Sequence, residues 1–230
     1  MNFRQITLAT LLASSFAAAQ ADTLVYTSAT LPVDYTDWTS FASLQKFDPA
    51  QGALQQVTLE LFADLAGSAK AENKSPTAST ITLNLQATLS LANPDSLSTV
   101  LVQTTPLVSN VFQAPGFDGA LDYAGNSGRA FLQLSASSSS QAIFTAVNDP
   151  ATLGLFTGTG VVLLPFAAVG ESVIVASGNY RGGFTTLAGG HARVTYDYLP
   201  TAVPEPETWA LMLAGIAAIG SIAARRGRQV

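Results

Sequence analysis

The chain of 230 residues has no cysteine and a single histidine, His191. The absence of thiols excludes a cysteine nucleophile, thiol redox chemistry and thiolate ligation of metals. A Ser–His–Asp triad needs its histidine beside an exposed serine and a carboxylate, and no G-x-S-x-G elbow is present. A zinc site with one histidine would depend mostly on carboxylates. We therefore interpret His191 as a loop residue before a strand, and expect no catalytic residues, no enzyme activity and no cofactor.

Charged side chains are also scarce and unbalanced. Residues 22–200 carry six lysines and arginines against thirteen aspartates and glutamates, which gives a net charge of −7. Such an acidic surface disfavours a nucleic-acid partner, because phosphate backbones are bound by clusters of basic residues. Since disulfides are impossible, the 179 residues of this segment must be stabilised by one hydrophobic core.

An apolar run near the start of the chain indicates a secretory signal at residues 1–21. Arg4 supplies the positive charge that precedes the run, and small residues follow it. The pattern Ala19-Gln20-Ala21 is typical of a signal-peptidase site, with Asp22 as the first residue after cleavage. We therefore predict export through a Sec-type signal.

A second apolar run, at residues 208–224, is preceded by a Pro-rich acidic segment and followed by arginines. As a helix its residues would reach about 25 Å, slightly less than the ~30 Å hydrocarbon core, which predicts a weak transmembrane helix. Arginines at the bilayer centre cost about 3 kcal/mol each, so they stop the helix on the cytoplasmic side. The stop is formed by Arg225, Arg226 and Arg228, and the extended segment before the helix by Val203, Pro204, Glu205, Pro206 and Glu207.

These three parts together resemble the PEP-CTERM sorting signal of Gram-negative bacteria, which we assign to residues 201–230. The resemblance implies recognition by exosortase, a multi-pass membrane cysteine protease that removes the tail. It also implies a transient inner-membrane anchor, followed by release to the cell surface or extracellular matrix. An ordinary single-pass anchor after a Pro-rich linker is the alternative, although stop-transfer helices are usually longer and more apolar.

Residues 22–200 have the pattern of an all-β protein. Apolar and polar residues alternate from Thr80 to Leu91, which places one face of a strand in a core and the other in water. Many short strands separated by Gly, Pro, Asn and Asp clusters predict an antiparallel β-sandwich, jelly-roll-like, flanked by the signal peptide and the transmembrane helix. The glycine pairs 182–183 and 189–190 are taken as separators, Ser137–Ser140 as a loop or hairpin turn, and Asp149–Phe156 as a short helical turn.

A second resemblance lies at Lys46–Leu61, which reads KFDPAQGALQQVTLEL. This segment is similar to the opening of the choice-of-anchor E domains, exported bacterial β domains that occur with different C-terminal anchors. The resemblance implies a β domain without a defined biochemical role. In physical terms, Asp48-Pro49 followed by Gly52 predicts a turn that leads into a long strand.

Carboxylates are the remaining candidates for a binding site. Asp118 and Asp122, near Asn126 in a Gly-rich loop, have the oxygen ligands that Ca²⁺ prefers, but the EF-hand spacing is absent and turn formation is the alternative role. A second acidic group carries the same ambiguity: Asp34, Asp37 and Asp48. Four aromatic residues are candidates for stacking on sugar rings or, alternatively, for core and rim packing: Tyr35, Trp38, Tyr123 and Tyr180.

The sequence therefore favours an exported, exosortase-processed β-sandwich protein of the cell surface or extracellular matrix, structural or binding in role. The family resemblance associates it with exopolysaccharide and biofilm formation in a Gram-negative bacterium. Two alternatives stay open. One is a carbohydrate-acting hydrolase that uses loop carboxylates, and the other is a Ca²⁺-dependent adhesion module.

Overall fold

The computed structural model describes residues 21–201 and 212–221. Residues 21–201 form eleven strands with one 3₁₀ helix and one short α-helix. In chain order the elements are β1 (Asp22–Thr27), β2 (Leu31–Tyr35), β3 (Trp38–Gln45), the 3₁₀ helix (Pro49–Gln51), β4 (Gly52–Asn73), β5 (Ser79–Asn93), β6 (Ser96–Thr104), β7 (Leu107–Ala114), β8 (Gly128–Thr145), α1 (Pro150–Leu155), β9 (Val161–Gly170), β10 (Val173–Ala176) and β11 (Tyr180–Pro200).

The strands form two antiparallel sheets. The five-stranded sheet has the order β1-β11-β4-β8, and β2 pairs with β11 beyond the end of β1. In the six-stranded sheet, β5 is central. One edge of β5 pairs with β10 near its start and with β9 near its end, and the other edge pairs with β7 near its start and with β6 near its end. The other edge of β9 pairs with β3. The two sheets pack face to face, and the predicted β-sandwich is confirmed.

Alternating side chains on the two inner faces build the core. The predicted strand from Thr80 to Leu91 lies within β5, and its apolar residues are fully buried while the polar ones face outward. On β4, Leu59 and Leu61 are likewise 0% exposed. Complete burial of a leucine contributes roughly 1.5–3 kcal/mol relative to an exposed one, so this period-two pattern drives the packing of the sheets.

The two glycine pairs predicted to separate strands lie inside β11 instead. A Cβ added at Gly190 would lie 2.1 Å from the carbonyl oxygen of Phe62, and one at Gly182 would lie 2.4 Å from that of Lys70. Glycine is therefore needed in the strand where neighbouring backbone approaches closely, not for a turn. As a consequence His191, predicted to lie in a loop, is a strand residue that pairs with Phe62.

The prediction that Ser137–Ser140 forms a loop or hairpin turn is also wrong, because these residues belong to β8. Ser137 pairs with Asp64 of β4, and the register continues without interruption to Thr145. Serine favours turns through hydrogen bonds to its own backbone. Here the ladder with a neighbouring strand outweighs that local preference.

Two short helical elements agree with the expected turn chemistry. The predicted helical turn is α1, and the Asp149 carboxylate accepts a hydrogen bond from the Thr152 amide at 2.9 Å as its N-cap. The Asp48 carboxylate accepts from the Ala50 amide at 2.9 Å and caps the 3₁₀ helix, after which β4 begins at Gly52. The turn before this long strand was therefore predicted correctly.

A helix occupies residues 212–221, and its residues are exposed. Within the two described segments, no helix has the length and apolarity required to cross a membrane. The predicted transmembrane helix at 208–224 extends beyond the described residues at both ends. Arg225, Arg226 and Arg228 lie outside them.

Candidate functional site

The predicted processing residues lie at or beyond the borders of the described structure. Ala19 and the sorting residues 203–207 are outside it, whereas Ala21 is exposed and Asp22 is the first residue of β1. The hydroxyl of Tyr198 donates to the Asp22 carboxylate at 3.2 Å. Within the described residues, the first strand thus begins at the residue predicted to follow the signal.

The predicted calcium ligands lie in the loop between β7 and β8, where they shape the backbone. Asp118 accepts a hydrogen bond from the Ala120 amide at 3.0 Å, and Asp122 accepts one from the Ala124 amide at 2.9 Å. Each of these bonds forms an Asx turn. The Ala120 bond is the main cause that lowers the pKa of Asp118. Among the described residues, no group of three or more His, Cys, Asp or Glu side chains is arranged to hold a metal ion. Calcium binding stays a prediction.

The same loop is anchored by a buried carboxylate that sequence reasoning missed. Glu72, at the end of β4, is 0% exposed, and one of its oxygens accepts from the Tyr123 amide at 2.8 Å. The other oxygen accepts a hydrogen bond from the hydroxyl of Ser127. A Cβ at Gly128 would lie 2.1 Å from the Glu72 carboxylate, so glycine is required there. Both oxygens are paired within the protein, which favours a structural role.

Asn73 continues this network on the other side of the same loop. Its side-chain amide donates to the carbonyl oxygens of Thr77 and Pro115, each at 2.8 Å, and its carbonyl accepts from the Ser75 amide at 2.9 Å. Because Asn73 is also 0% exposed, these bonds fix two connections to one end of the sandwich.

The second acidic group also bonds to main chain. Asp34 accepts from the Tyr35 amide at 2.7 Å, and Asp37 accepts from the Gly170 amide at 2.7 Å. The indole of Trp38 donates to the Ala188 carbonyl at 3.0 Å. Trp38 is therefore a core residue, whereas the exposed Tyr35 stays available for stacking.

The outer face of the five-stranded sheet carries a cluster of aromatic and charged side chains. The rings of Phe62 and His191 stack with centroids 4.8 Å apart and planes 8° from parallel. The Arg193 guanidinium lies 5.0 Å from the Phe62 centroid and forms an ion pair with Glu60 at 2.7 Å. The hydrogen bond from Arg193 is the main cause that lowers the pKa of Glu60.

Beside this cluster lies an open depression of about 310 Å³, which we call the His191 depression. Its lining combines two ring systems, one carboxylate and three hydroxyls: Phe62, Ala63, Asp64, Ser137, Ser138, Ser139 and His191. The Ser137 hydroxyl donates to Asp64 at 2.7 Å. Among the described residues, the His191 ring has neither a serine nor a carboxylate as hydrogen-bond partner, so the two links of a triad are not formed.

The sequence did not predict this depression, because its residues come from three strands far apart in the chain. The two errors that hid it were the assignment of His191 and of Ser137–Ser140 to loops. Phe62 was visible only as an apolar residue on the polar face of an alternating strand. That interruption of the pattern is the one signal that could have identified the site.

Comparison with known proteins gives little beyond the tail. No curated protein matches the chain. Solved structures from infectious bursal disease virus are similar at low identity. The structure of the Gx strain is 12% identical, and the match covers 94% of this chain and 52% of that chain with a TM-score of 0.17. The VP2 subviral particle is 11% identical, and the match covers 79% of this chain and 42% of that chain with a TM-score of 0.15. The chain spans about half the length of these proteins. With such low TM-scores, the similarity indicates neither a shared fold nor a shared function.

A match to a protein-family model concerns the tail and agrees with the sequence prediction. Residues 202–229 match a family described as the PEP-CTERM protein-sorting motif. This range includes the predicted Pro-Glu-Pro segment and the three predicted stop arginines, whereas the resemblance of residues 46–61 to choice-of-anchor E domains stays a prediction. The chain therefore carries a PEP-CTERM sorting motif, which marks it as an exported protein anchored transiently at the membrane and processed by exosortase before release at the surface.

Proposed function

We propose that the protein is a non-enzymatic component of the cell surface or extracellular matrix of a Gram-negative bacterium, and that it binds exopolysaccharide through the His191 depression. A Sec-type signal at residues 1–21 delivers it, and exosortase removes the tail. The sandwich is then the functional part. The observation that carries the polysaccharide assignment is the combination of rings, hydroxyls and a carboxylate in one open depression on a sorted, exported domain.

The chemistry of the depression suits a sugar. Aromatic rings pack against the apolar C–H face of a pyranose, while carboxylate and hydroxyl oxygens exchange hydrogen bonds with its hydroxyl groups. The volume of about 310 Å³ fits a single sugar unit, and the open shape leaves room for the rest of a polymer chain. Because the site is shallow and open, we expect weak binding per unit that is strengthened by repetition along the polymer.

The arrangement of carboxylates supports a binding role over hydrolysis. A glycosidase needs two carboxylates about 5–10 Å apart across a cleft. The depression contains one carboxylate, Asp64, already bonded to Ser137. The loop carboxylates proposed for a hydrolase, Asp118 and Asp122, are each engaged in an Asx turn.

Binding is tested by retention of the protein on the polysaccharide of the producing cells. We expect Phe62→Ala and His191→Ala each to lower retention at least fivefold. Ile143→Ala is the matched control, because Ile143 is 44% exposed on the same sheet but does not line the depression. Retention no higher than that of a charge-matched protein, or retention unchanged by both site variants, would contradict the proposal.

Two further measurements separate the alternatives. Turnover on a panel of glycans that is lost in Asp118→Asn or Asp122→Asn would favour the hydrolase. A rise in melting temperature on addition of Ca²⁺ would favour the adhesion module, because a ligand that binds only the native state stabilises it. We expect neither effect.

The processing step has its own test. Replacement of Pro204-Glu205-Pro206 by alanines should leave uncleaved precursor in the inner membrane, detected by the mass of the protein in each cell fraction. If protein of normal processed mass still reached the exterior, the three residues would not be the recognition site.

A further inference from the structure

The two sheets differ sharply in charge. Within residues 21–201, every charged residue that lies in a strand belongs to the five-stranded sheet. The strands of the six-stranded sheet, β3, β5, β6, β7, β9 and β10, contain no charged residue and no histidine. A domain with a net charge of −7 therefore has one wide face whose strands carry no charge. The carboxylate of Glu171, in the turn between β9 and β10, reaches this face and accepts a hydrogen bond from the Thr88 hydroxyl of β5 at 2.7 Å.

The same face also exposes large apolar side chains. The sequence of β9 is apolar throughout, and its residues alternate between buried and exposed; Leu163 is 52% exposed. A strand that is apolar on both faces is typical of a sheet covered on both sides. Neighbouring strands add Phe41, Val111 and Val175, which are 62%, 60% and 57% exposed. Soluble proteins rarely leave so many apolar side chains exposed together without an interaction partner.

The polar residues of the face are concentrated on β5, with others on β3, β6 and β7, and several are bonded to neighbouring strands. The Asn84 carbonyl accepts from the hydroxyl of Ser109 at 2.7 Å, and the Thr80 hydroxyl donates to Gln113 at 3.0 Å. Burial of a polar group is costly mainly when its hydrogen bonds are lost. Because these bonds run laterally within the sheet, a partner can cover these residues without breaking them.

The dimensions of the face match another sheet. The six strands contain 54 residues, and at about 4.8 Å across and about 3.3 Å along the strand for each residue they cover about 860 Å². A standard protein–protein interface buries about 800 Å² on each partner. An isolated helix of about 25 Å, such as the predicted tail, would cover only about 250 Å². A membrane is also a poor partner, since the face has no basic residues to contact anionic lipids.

We propose that two copies of the chain form a twofold dimer through the outer faces of their six-stranded sheets. The face has an aliphatic row on β9 and β10, a hydroxyl and amide row on β5, and a mixed row on β7, in which Leu107 and Val111 alternate with Ser109 and Gln113. A twofold axis that lies in the interface plane and runs perpendicular to the strands places each row on its own copy, so that the aliphatic row of β9 and β10 packs on itself. Sheets packed in this way are about 10 Å apart. The charged sheets then lie on the outside of the dimer, where salt screens their repulsion beyond about 8 Å.

The dimer is tested by sedimentation of the processed protein over a range of micromolar concentrations. We expect a dimer for the wild type, and for Leu163→Lys a dissociation constant at least a hundredfold higher, because each copy would bury an unpaired ammonium. Val25→Lys is the matched control, since Val25 is 53% exposed, against 52% for Leu163, but lies on the other sheet. This control should dimerise like the wild type. Val111→Lys and Val175→Lys repeat the test on other strands, and circular dichroism checks that each variant is folded.

Three results would overturn the dimer. One is a wild-type protein that stays monomeric at 100 micromolar. Another is an equal loss of association in Val25→Lys. The third is a monomeric wild type that co-floats with vesicles made of the phospholipids of the producing bacterium, together with loss of this binding in Leu163→Lys. That result would show that the face docks on a membrane.

Discussion

A buried hydroxyl that joins the two sheets gives the sharpest prediction about stability. Tyr196, on the inner face of β11, is 0% exposed, and its hydroxyl donates to the carbonyl oxygen of Gln45 in β3 at 2.7 Å. Its ring packs against Phe47 and Phe156, with centroid distances of 5.9 Å and 6.4 Å. Burial raises the pKa of Tyr196, which keeps the hydroxyl protonated as a donor. Tyr196→Phe retains the ring and removes only this hydrogen bond to Gln45.

The expected cost follows from the acceptor that is left behind. A buried polar group that loses its partner destabilises a protein by about 1–3 kcal/mol. For a domain of this size, each kcal/mol lowers the melting temperature by about 2–4 °C, so we expect a fall of about 2–12 °C. Urea denaturation should show a lower midpoint with an unchanged slope.

Tyr198→Phe is the matched control, because Tyr198 lies two residues further on the same face. It is 7% exposed, and its hydroxyl reaches only the exposed Asp22 at 3.2 Å. We expect a smaller loss of stability for this variant. If Tyr196→Phe melted within one degree of the wild type, or if both variants lost the same stability, the bond to Gln45 would not connect the sheets energetically.

Two further predictions concern single positions. Since the pKa of Glu60 is lowered by Arg193, their bond stabilises the native state above the ordinary carboxyl pKa and is lost as the pH falls through the lowered value. The urea midpoint should therefore fall less between pH 6 and pH 3 in Glu60→Gln than in the wild type, and equal falls would show that the pair contributes nothing. Gly190→Ala should lower the melting temperature by several degrees because its Cβ meets the Phe62 carbonyl at 2.1 Å, whereas Gly183→Ala, with no atom within 4 Å, should leave it unchanged or higher. Equal effects of the two alanines would mean that the backbone can shift at no cost.

The fold was largely predictable because its signals are local. The alternation of β5 is readable over twelve residues, since the period of a strand does not depend on what the strand pairs with. The cap at Asp149 is equally local, because the carboxylate bonds to an amide three residues away. Such features require no knowledge of the tertiary structure.

The errors arose where long-range pairing outweighs local preference. Gly190 and Ser137–Ser140 both favour turns in isolation. Each lies in a strand because the neighbouring strand β4 supplies a ladder, and Gly190 also permits close approach of the Phe62 backbone. Neither partner is near in sequence, so no local pattern could have placed these residues.

The buried carboxylate of Glu72 was unpredictable for a related reason. An acidic residue in an alternating strand is expected to face water, and its donors, Tyr123 and Ser127, come from a loop more than fifty residues later. The same limit applies to the His191 depression. Its aromatic and polar walls meet only after β8 and β11 have paired on either side of β4.

The two proposals combine into a prediction about the matrix. In the proposed dimer the six-stranded sheets are covered, so the two His191 depressions face outward on opposite sides and each dimer can hold two polysaccharide chains. Linked sites raise the overall avidity by about 10²–10⁴ without new contacts. Processed protein added to the purified polysaccharide should therefore raise its viscosity. Leu163→Lys should bind the polysaccharide in dilute solution but not raise its viscosity. Phe62→Ala should dimerise but neither bind the polysaccharide nor raise its viscosity. If Leu163→Lys thickened the polysaccharide as well as the wild type, cross-linking would not depend on the dimer, even if both binding and dimerisation were real.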